Sequence, residues 1–190
     1  MTKPTDDQDD QLVRLADGTT AHIRPLRADD REQVRALYEA SSEWDRYLRF
    51  FSPTSVDGAM RLTPPPEDDD EHCLLAAEVA GRIVGLGQYD VTEDDEVAEV
   101  AFMVDAAHQG RGVATLLLEA LAPRAVVRGI RRFRALFLRE NQHMPDVFAH
   151  AGFDIRWSCE DLGVAAAEFD LAPVPAWVDE HERRERLAQA

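Results

Sequence analysis

Gly110 and Gly112 stand in the segment Gln109-Gly110-Arg111-Gly112-Val113-Ala114, between the apolar run 97–104 and a stretch rich in helix formers. Glycines at such a junction leave main-chain N–H groups uncovered, and the first amides of a helix have no intrahelical partner. With the positive end of the helix behind them, those donors suit a phosphate. Arg111 is placed to add charge. Glu99 is the second chemical signal. It interrupts Val97-Ala98-Glu99-Val100-Ala101-Phe102-Met103-Val104, one strand ahead of the glycine turn. An isolated carboxylate in an apolar strand is costly unless it is paired, opens onto a cleft or performs chemistry. The alternative is a glutamate facing solvent from a half-exposed strand.

Two other phosphate-binding patterns fail on the same residues. A dinucleotide fingerprint needs a third Gly or Ala, but Gly110-Arg111-Gly112-Val113-Ala114-Thr115 ends in threonine. A mononucleotide loop needs Gly-Lys-Ser/Thr, which is absent. A glycine-assisted turn that binds nothing stays open at this level. The histidines (His22, His72, His108, His143, His150 and His181) have no ligand spacing, and the only two cysteines, Cys73 and Cys159, are not paired in sequence, so no metal site is expected. Ser41, Ser42 and Ser158 lack the setting of a nucleophile elbow.

The elements that must carry these residues read as α/β. Residues 12–15 and 21–26 suggest two short strands around an Asp17-Gly18 turn. Asp29 or Asp30 caps a helix bearing Val34, Leu37 and Tyr38, and an aromatic, arginine-rich segment follows at 44–51. The acidic, proline-rich stretch 63–71 reads as an exposed connection. Strands are expected at 73–79, 82–89, 97–104 and 132–138, and the glycine turn opens a helix over 112–128 with Leu116, Leu117, Ala120 and Leu121 on one face. A short helix at 144–151, a strand at 153–157 and a last strand at 166–171 complete a mixed, mostly antiparallel sheet. The expected organisation is an acidic tail at 1–10, one domain at 11–172 and a charged helical tail at 173–190.

Composition sets outer bounds. The 190 residues suit one hydrophobic core, and 45% hydrophobic against 31% charged is an ordinary globular balance. A net charge of -16 repels nucleic-acid backbones and attracts cationic partners such as amines or lysine-rich proteins, although it also serves plain solubility. No apolar run approaches the ~20 residues of a membrane span. The N-terminus lacks the apolar core of a secretion signal, and a cytoplasmic protein is expected.

The segment from Ala106 through Leu118 resembles the central motif of the GCN5-related N-acetyltransferases (GNAT). Arg139-Glu140-Asn141-Gln142-His143-Met144, followed by Ala151-Gly152-Phe153, is similar to that family's second cofactor segment, and the two occur in the family's order. The resemblance implies a single-domain acetyltransferase fold with a splayed central sheet flanked by helices, and acetyl-CoA as co-substrate. Main-chain groups of Phe102, Met103 and Val104 would bind the pantetheine arm. Amides of Gln109, Gly110, Arg111, Gly112, Val113 and Ala114, with the Thr115 hydroxyl, would hold the pyrophosphate. Asn141 would contact the pantetheine, and Phe148 would pack near the cofactor. Asparagine after a strand is also a common turn residue. Arg128, Arg131, Arg132 and Arg134 would lie near the adenosine phosphate or simply in solvent.

The reaction this implies is attack of a primary amine on the thioester. A lysine of pKa about 10.4 costs roughly 4.6 kcal/mol to deprotonate at pH 7, and a carboxylate beside it assists. Glu99 is the candidate general base. Many family members carry a tyrosine acid four residues before the Gly-Phe pair; here Phe148 occupies that position, and no dedicated acid is expected. The segment 41–53, with Tyr47, Arg49, Phe50 and Phe51, looks like the one found in bacterial Pat-like protein lysine acetyltransferases, where Glu99 also matches the proposed base. A protein lysine is therefore the expected acceptor. The alternatives are a small-molecule amine and a non-catalytic acetyl-CoA-binding regulatory module. Nothing in the sequence marks an oligomeric state.

Overall fold

Short alternating segments and, at the centre, continuous apolar runs build a sheet of eight strands: β1 (Gln11–Arg14), β2 (Thr20–Pro25), β3 (His72–Val79), β4 (Arg82–Val91), β5 (Val97–Val104), β6 (Arg132–Leu138), β7 (Ile155–Asp161) and β8 (Val164–Asp170). The computed structural model describes residues 10–64, 71–161 and 163–171. The strand order is β1-β2-β3-β4-β5-β6-β8-β7, antiparallel everywhere except between β5 and β6. This is the mixed, mostly antiparallel sheet expected. The parallel pair sits in the middle because the crossover between β5 and β6 carries a helix, as parallel neighbours require.

Helices cover both faces. On one side lie α1 (Arg31–Ala40), α2 (Glu43–Phe50) and α3 (Val56–Leu62); on the other lie α4 (Val113–Val127) and α5 (His143–His150). Two hydrophobic clusters follow. One joins α4 and α5 to the sheet through Leu117, Leu121, Phe133, Phe148 and Phe169, and the other joins α1 and α3 to Leu74, Ala76, Leu86 and Met103. Local signals set the helix starts: the Ser42 side chain accepts from Asp45 N at 3.0 Å, and Ser55 accepts from Gly58 N at 3.1 Å.

Several expectations need correction. Helix α3 was not expected; its seven residues include Gly58 and only one clear apolar spacing. Helix α4 does not have a single apolar face: Thr115 through Ala122 are all buried, because the sheet and α5 enclose it. β7 starts later and runs further than 153–157, since Phe153 leaves the strand path to pack on Phe169 at 4.7 Å. The tails at 1–9 and 172–190 and the link at 65–70 lie outside the described residues. Asp10 is within them, paired with Arg27 at 3.3 Å and His22 at 3.2 Å. Among the described residues, no helix is long and apolar enough to cross a membrane.

Candidate functional site

The two central strands part company. β5 and β6 pair only at Val97–Arg132, Ala98–Phe133 and Glu99–Arg134. Beyond Glu99, β5 stays with β4 while β6 stays with β8, so the edge of residues 100–104 that faces β6 has no partner strand. A cavity of about 470 Å³ occupies the opening, walled by Val100, Ala101, Phe102, Met103 and Val104 on one side and Leu136, Phe137 and Asn141 on the other. An unpaired strand edge offers N–H and C=O groups that a peptide-like arm can take up.

The glycine turn forms the mouth of this cavity. Residues 108–116 all line it. Gly110 and Gly112 have φ of 71° and 86°, in the left-handed region that favours glycine. Among the described residues, none of the amides from Gly110 to Thr115 donates a hydrogen bond; the first helical bond of α4 runs from Leu116 N to Gly112 O at 3.0 Å. No side chain caps the helix. Six bare donors at the positive end of a 15-residue helix are the kind of arrangement that can receive phosphate groups. Helix α4 lies close against β4 here, because a Cβ on Gly85 would stand 2.8 Å from Val113 Cγ1.

Side chains around the turn are largely committed. Gln109 Nε2 donates to Val104 O at 3.1 Å and to Asp45 Oδ1 at 3.3 Å, tying α2 to the turn. Arg111 Nη1 is 2.8 Å from Asp17 Oδ2, so its charge goes to the β1–β2 hairpin. Thr115 is buried, and its hydroxyl donates to Val147 O at 3.4 Å instead of pointing its hydrogen into the cavity. Asn141 both lines the cavity and makes a turn, its amide donating to Leu138 O at 2.8 Å.

Phe148 sits behind the cavity wall, against the lining residue Phe137. It is fully buried among Phe137, Trp157 and Phe169, with centroids 5.5–6.4 Å away, and does not line the cavity. Its neighbours Met144 and Val147 do. An aromatic ring one helical position from the wall gains more by packing in that cluster. The arginines at 128, 131, 132 and 134 are also away from the cavity. Arg128 donates to the Tyr89 hydroxyl at 2.7 Å, Arg131 meets Glu96 at 3.2 Å, Arg132 meets Asp170 at 3.4 Å and Arg134 meets Glu160 at 2.8 Å.

Glu99 sits at the apex where the strands still pair, between Asp90 on β4 and Arg134 on β6. It does not form part of the cavity wall itself. Strand alternation turns it to the α2 side, opposite to its neighbour Val100, which is buried against α4. The side chain is half-buried and makes no hydrogen bond or ion pair among the described residues. Burial pushes its carboxyl above the ordinary glutamate range; Arg134 pulls it back, Asp90 raises it further and Arg49 lowers it. Arg49, from α2, lines the cavity and lies over the Phe50 ring at 5.0 Å. Sequence reading singled out neither the β1–β2 hairpin, whose Arg14 and Ala16 reach the cavity, nor Asp45. The Ser42–Asp45 capping spacing was the available signal for Asp45; the hairpin had none.

Comparison with known proteins agrees with this geometry. The family profile described as "Acetyltransferase (GNAT) family" matches residues 28–153. The chain is 37% identical over 183 residues to acetyltransferase Pat of Mycolicibacterium smegmatis, covering 94% of this chain but spanning only 54% of that protein's length. It is 28% identical to acetyltransferase PA5475 of Pseudomonas aeruginosa over 76% of this chain and 81% of that one. Among solved structures it resembles the GNAT domain of S. lividans PAT, with 40% identity and a TM-score of 0.76 over 88% of this chain and 99% of that chain.

Proposed function

Since the chain belongs to the GNAT acetyltransferase family, we propose that it moves an acetyl group from acetyl-CoA to a primary amine, with a protein lysine as the acceptor and Glu99 as general base. The observation that carries this reading is the run of six bare amides at the mouth of a cavity that leads to the splayed strands. The turn and helix end hold the diphosphate. The free edge of β5 around Phe102, Met103 and Val104 holds the pantetheine arm, and Asn141 contacts it from the β6 side. That places the thioester near the apex.

Glu99 then takes the proton that the acceptor nitrogen loses as its lone pair forms the C–N bond. Its raised pKa suits the role, since a base works best with a pKa closer to the operating pH. A main-chain N–H near Val104 faces the developing oxyanion. The C–S bond breaks as the carbonyl reforms. Phe148 offers no proton to the departing thiolate, which leaves as an anion and is protonated by water. The net charge of -16 favours the approach of a lysine-bearing surface, which supports the acceptor class.

The test is free-thiol release with acetyl-CoA and three acceptors: a lysine-bearing protein, polyamines and amino acids. Turnover confined to the protein acceptor is expected. Turnover only with small amines overturns the acceptor assignment, and acetyl-CoA binding without turnover on any amine overturns the enzymatic reading.

A further inference from the structure

Three arginines line the cavity among the described residues, and they are not equivalent. Arg49 belongs to the acceptor end, beside Glu99. Arg111 lies inside the glycine turn, yet its guanidinium is held by Asp17 at 2.8 Å. Its carbonyl also accepts from Ala16 N at 3.0 Å. Those two contacts fasten the β1–β2 hairpin against the turn, and this seats Arg14 at the cavity mouth. Arg14 has no carboxylate partner among the described residues. One nitrogen, Nη1, donates to Gly18 O at 3.0 Å, which steadies the side chain and leaves its remaining N–H donors open.

We infer that Arg14, supplied by the β1–β2 hairpin, binds a phosphate of the acyl-CoA nucleotide. The inference rests on the acetyl-CoA reading and adds a side-chain cation to a nest otherwise made of backbone. A guanidinium presents a planar fork that matches phosphate oxygens two at a time. In a chain of net charge -16, an arginine without a carboxylate beside it, at the mouth of an anion site, offsets the repulsion a polyanionic cofactor meets there. The hairpin therefore acts as part of the cofactor site, with the Arg111–Asp17 pair as its fastening.

Three ligands measured by calorimetry on wild type and Arg14→Met decide the matter: acetyl-CoA, its 3′-dephospho derivative and S-acetylpantetheine, which has no phosphate. Wild type must first bind acetyl-CoA; if it does not, the acetyl-CoA reading itself fails, separately from this one. Arg14→Met is expected to weaken acetyl-CoA binding about tenfold, the size of one charge-assisted contact, with Arg14→Lys recovering part of the loss. A penalty that disappears with the 3′-dephospho ligand assigns Arg14 to the 3′-phosphate. A penalty that persists there assigns it to the diphosphate. S-acetylpantetheine should bind both proteins equally. An unchanged affinity for acetyl-CoA, or an equal loss with S-acetylpantetheine, overturns the inference. Arg14 is exposed, so the variant should keep the wild-type melting temperature, and that temperature is measured alongside.

Discussion

The two ends of the cavity are built from different materials. The mouth is made of backbone: six amides with no hydrogen-bond partner among the described residues, two glycines at positive φ and the end of a buried helix. The apex carries side-chain charges: Arg49 from α2 lines the cavity, and Glu99, half-buried between Asp90 and Arg134, lies just outside its wall. Backbone donors are fixed by the fold and serve any chain with the same turn. Side-chain charges depend on what neighbouring strands and α2 happen to carry. The mouth should therefore govern affinity for the cofactor, and the apex should govern rate and acceptor choice.

Substitutions that separate binding from rate break or sharpen that contrast. The largest effect is expected at the apex. Glu99→Gln should lower kcat by roughly 10²–10⁴, the usual worth of a general base, while leaving acetyl-CoA affinity unchanged by calorimetry. An equal loss of affinity would erase the division between the two ends.

The pH profile of wild type provides a second reading. As the proposed base, Glu99 would act only as the carboxylate, so rate should rise with pH as it loses its proton. Burial raises its pKa, so the acid limb of kcat should fall at a pH above the ~4.3 of an exposed glutamate. That limb should vanish in Glu99→Gln.

At the mouth the order reverses. Gly112 has φ of 86°, and a Cβ there meets nothing within 4 Å, so Gly112→Ala imposes backbone strain alone. At about 1–2 kcal/mol, that strain should weaken acetyl-CoA binding roughly tenfold, with kcat at saturating cofactor near wild type. The smallest effect belongs to Asp17→Asn, which cuts the Arg111–Asp17 pair. Both partners are more than a third exposed, so acetyl-CoA affinity should change by no more than about twofold.

The same contrast explains what the sequence disclosed. Gly110 and Gly112 were legible because positive φ demands glycine and because a strand and a helix flank them. The strands at 97–104 and 132–138 were legible in full, since alternation and apolar runs are local properties. Glu99 stood out as a charge in an apolar strand. Arg14, Asp45 and Arg49 could not be placed, because they reach the cavity only through pairings between segments distant in sequence. The surroundings of Phe148 were not legible for a related reason: whether a buried ring faces a cleft or a cluster is decided by Phe137, Trp157 and Phe169 on other strands. The all-round burial of α4 was not legible, because it depends on the sheet and α5 enclosing the helix together.

The central claim is that bare peptide donors at the start of α4 grip the cofactor's diphosphate. Amide NMR of the ¹⁵N-labelled protein, titrated with acetyl-CoA and then with S-acetylpantetheine, reads those donors one by one. Resonances of Gly110 through Thr115 should move furthest with acetyl-CoA and scarcely move with the phosphate-free fragment. If they stay fixed while acetyl-CoA saturates the protein, the diphosphate lies elsewhere and the account is wrong.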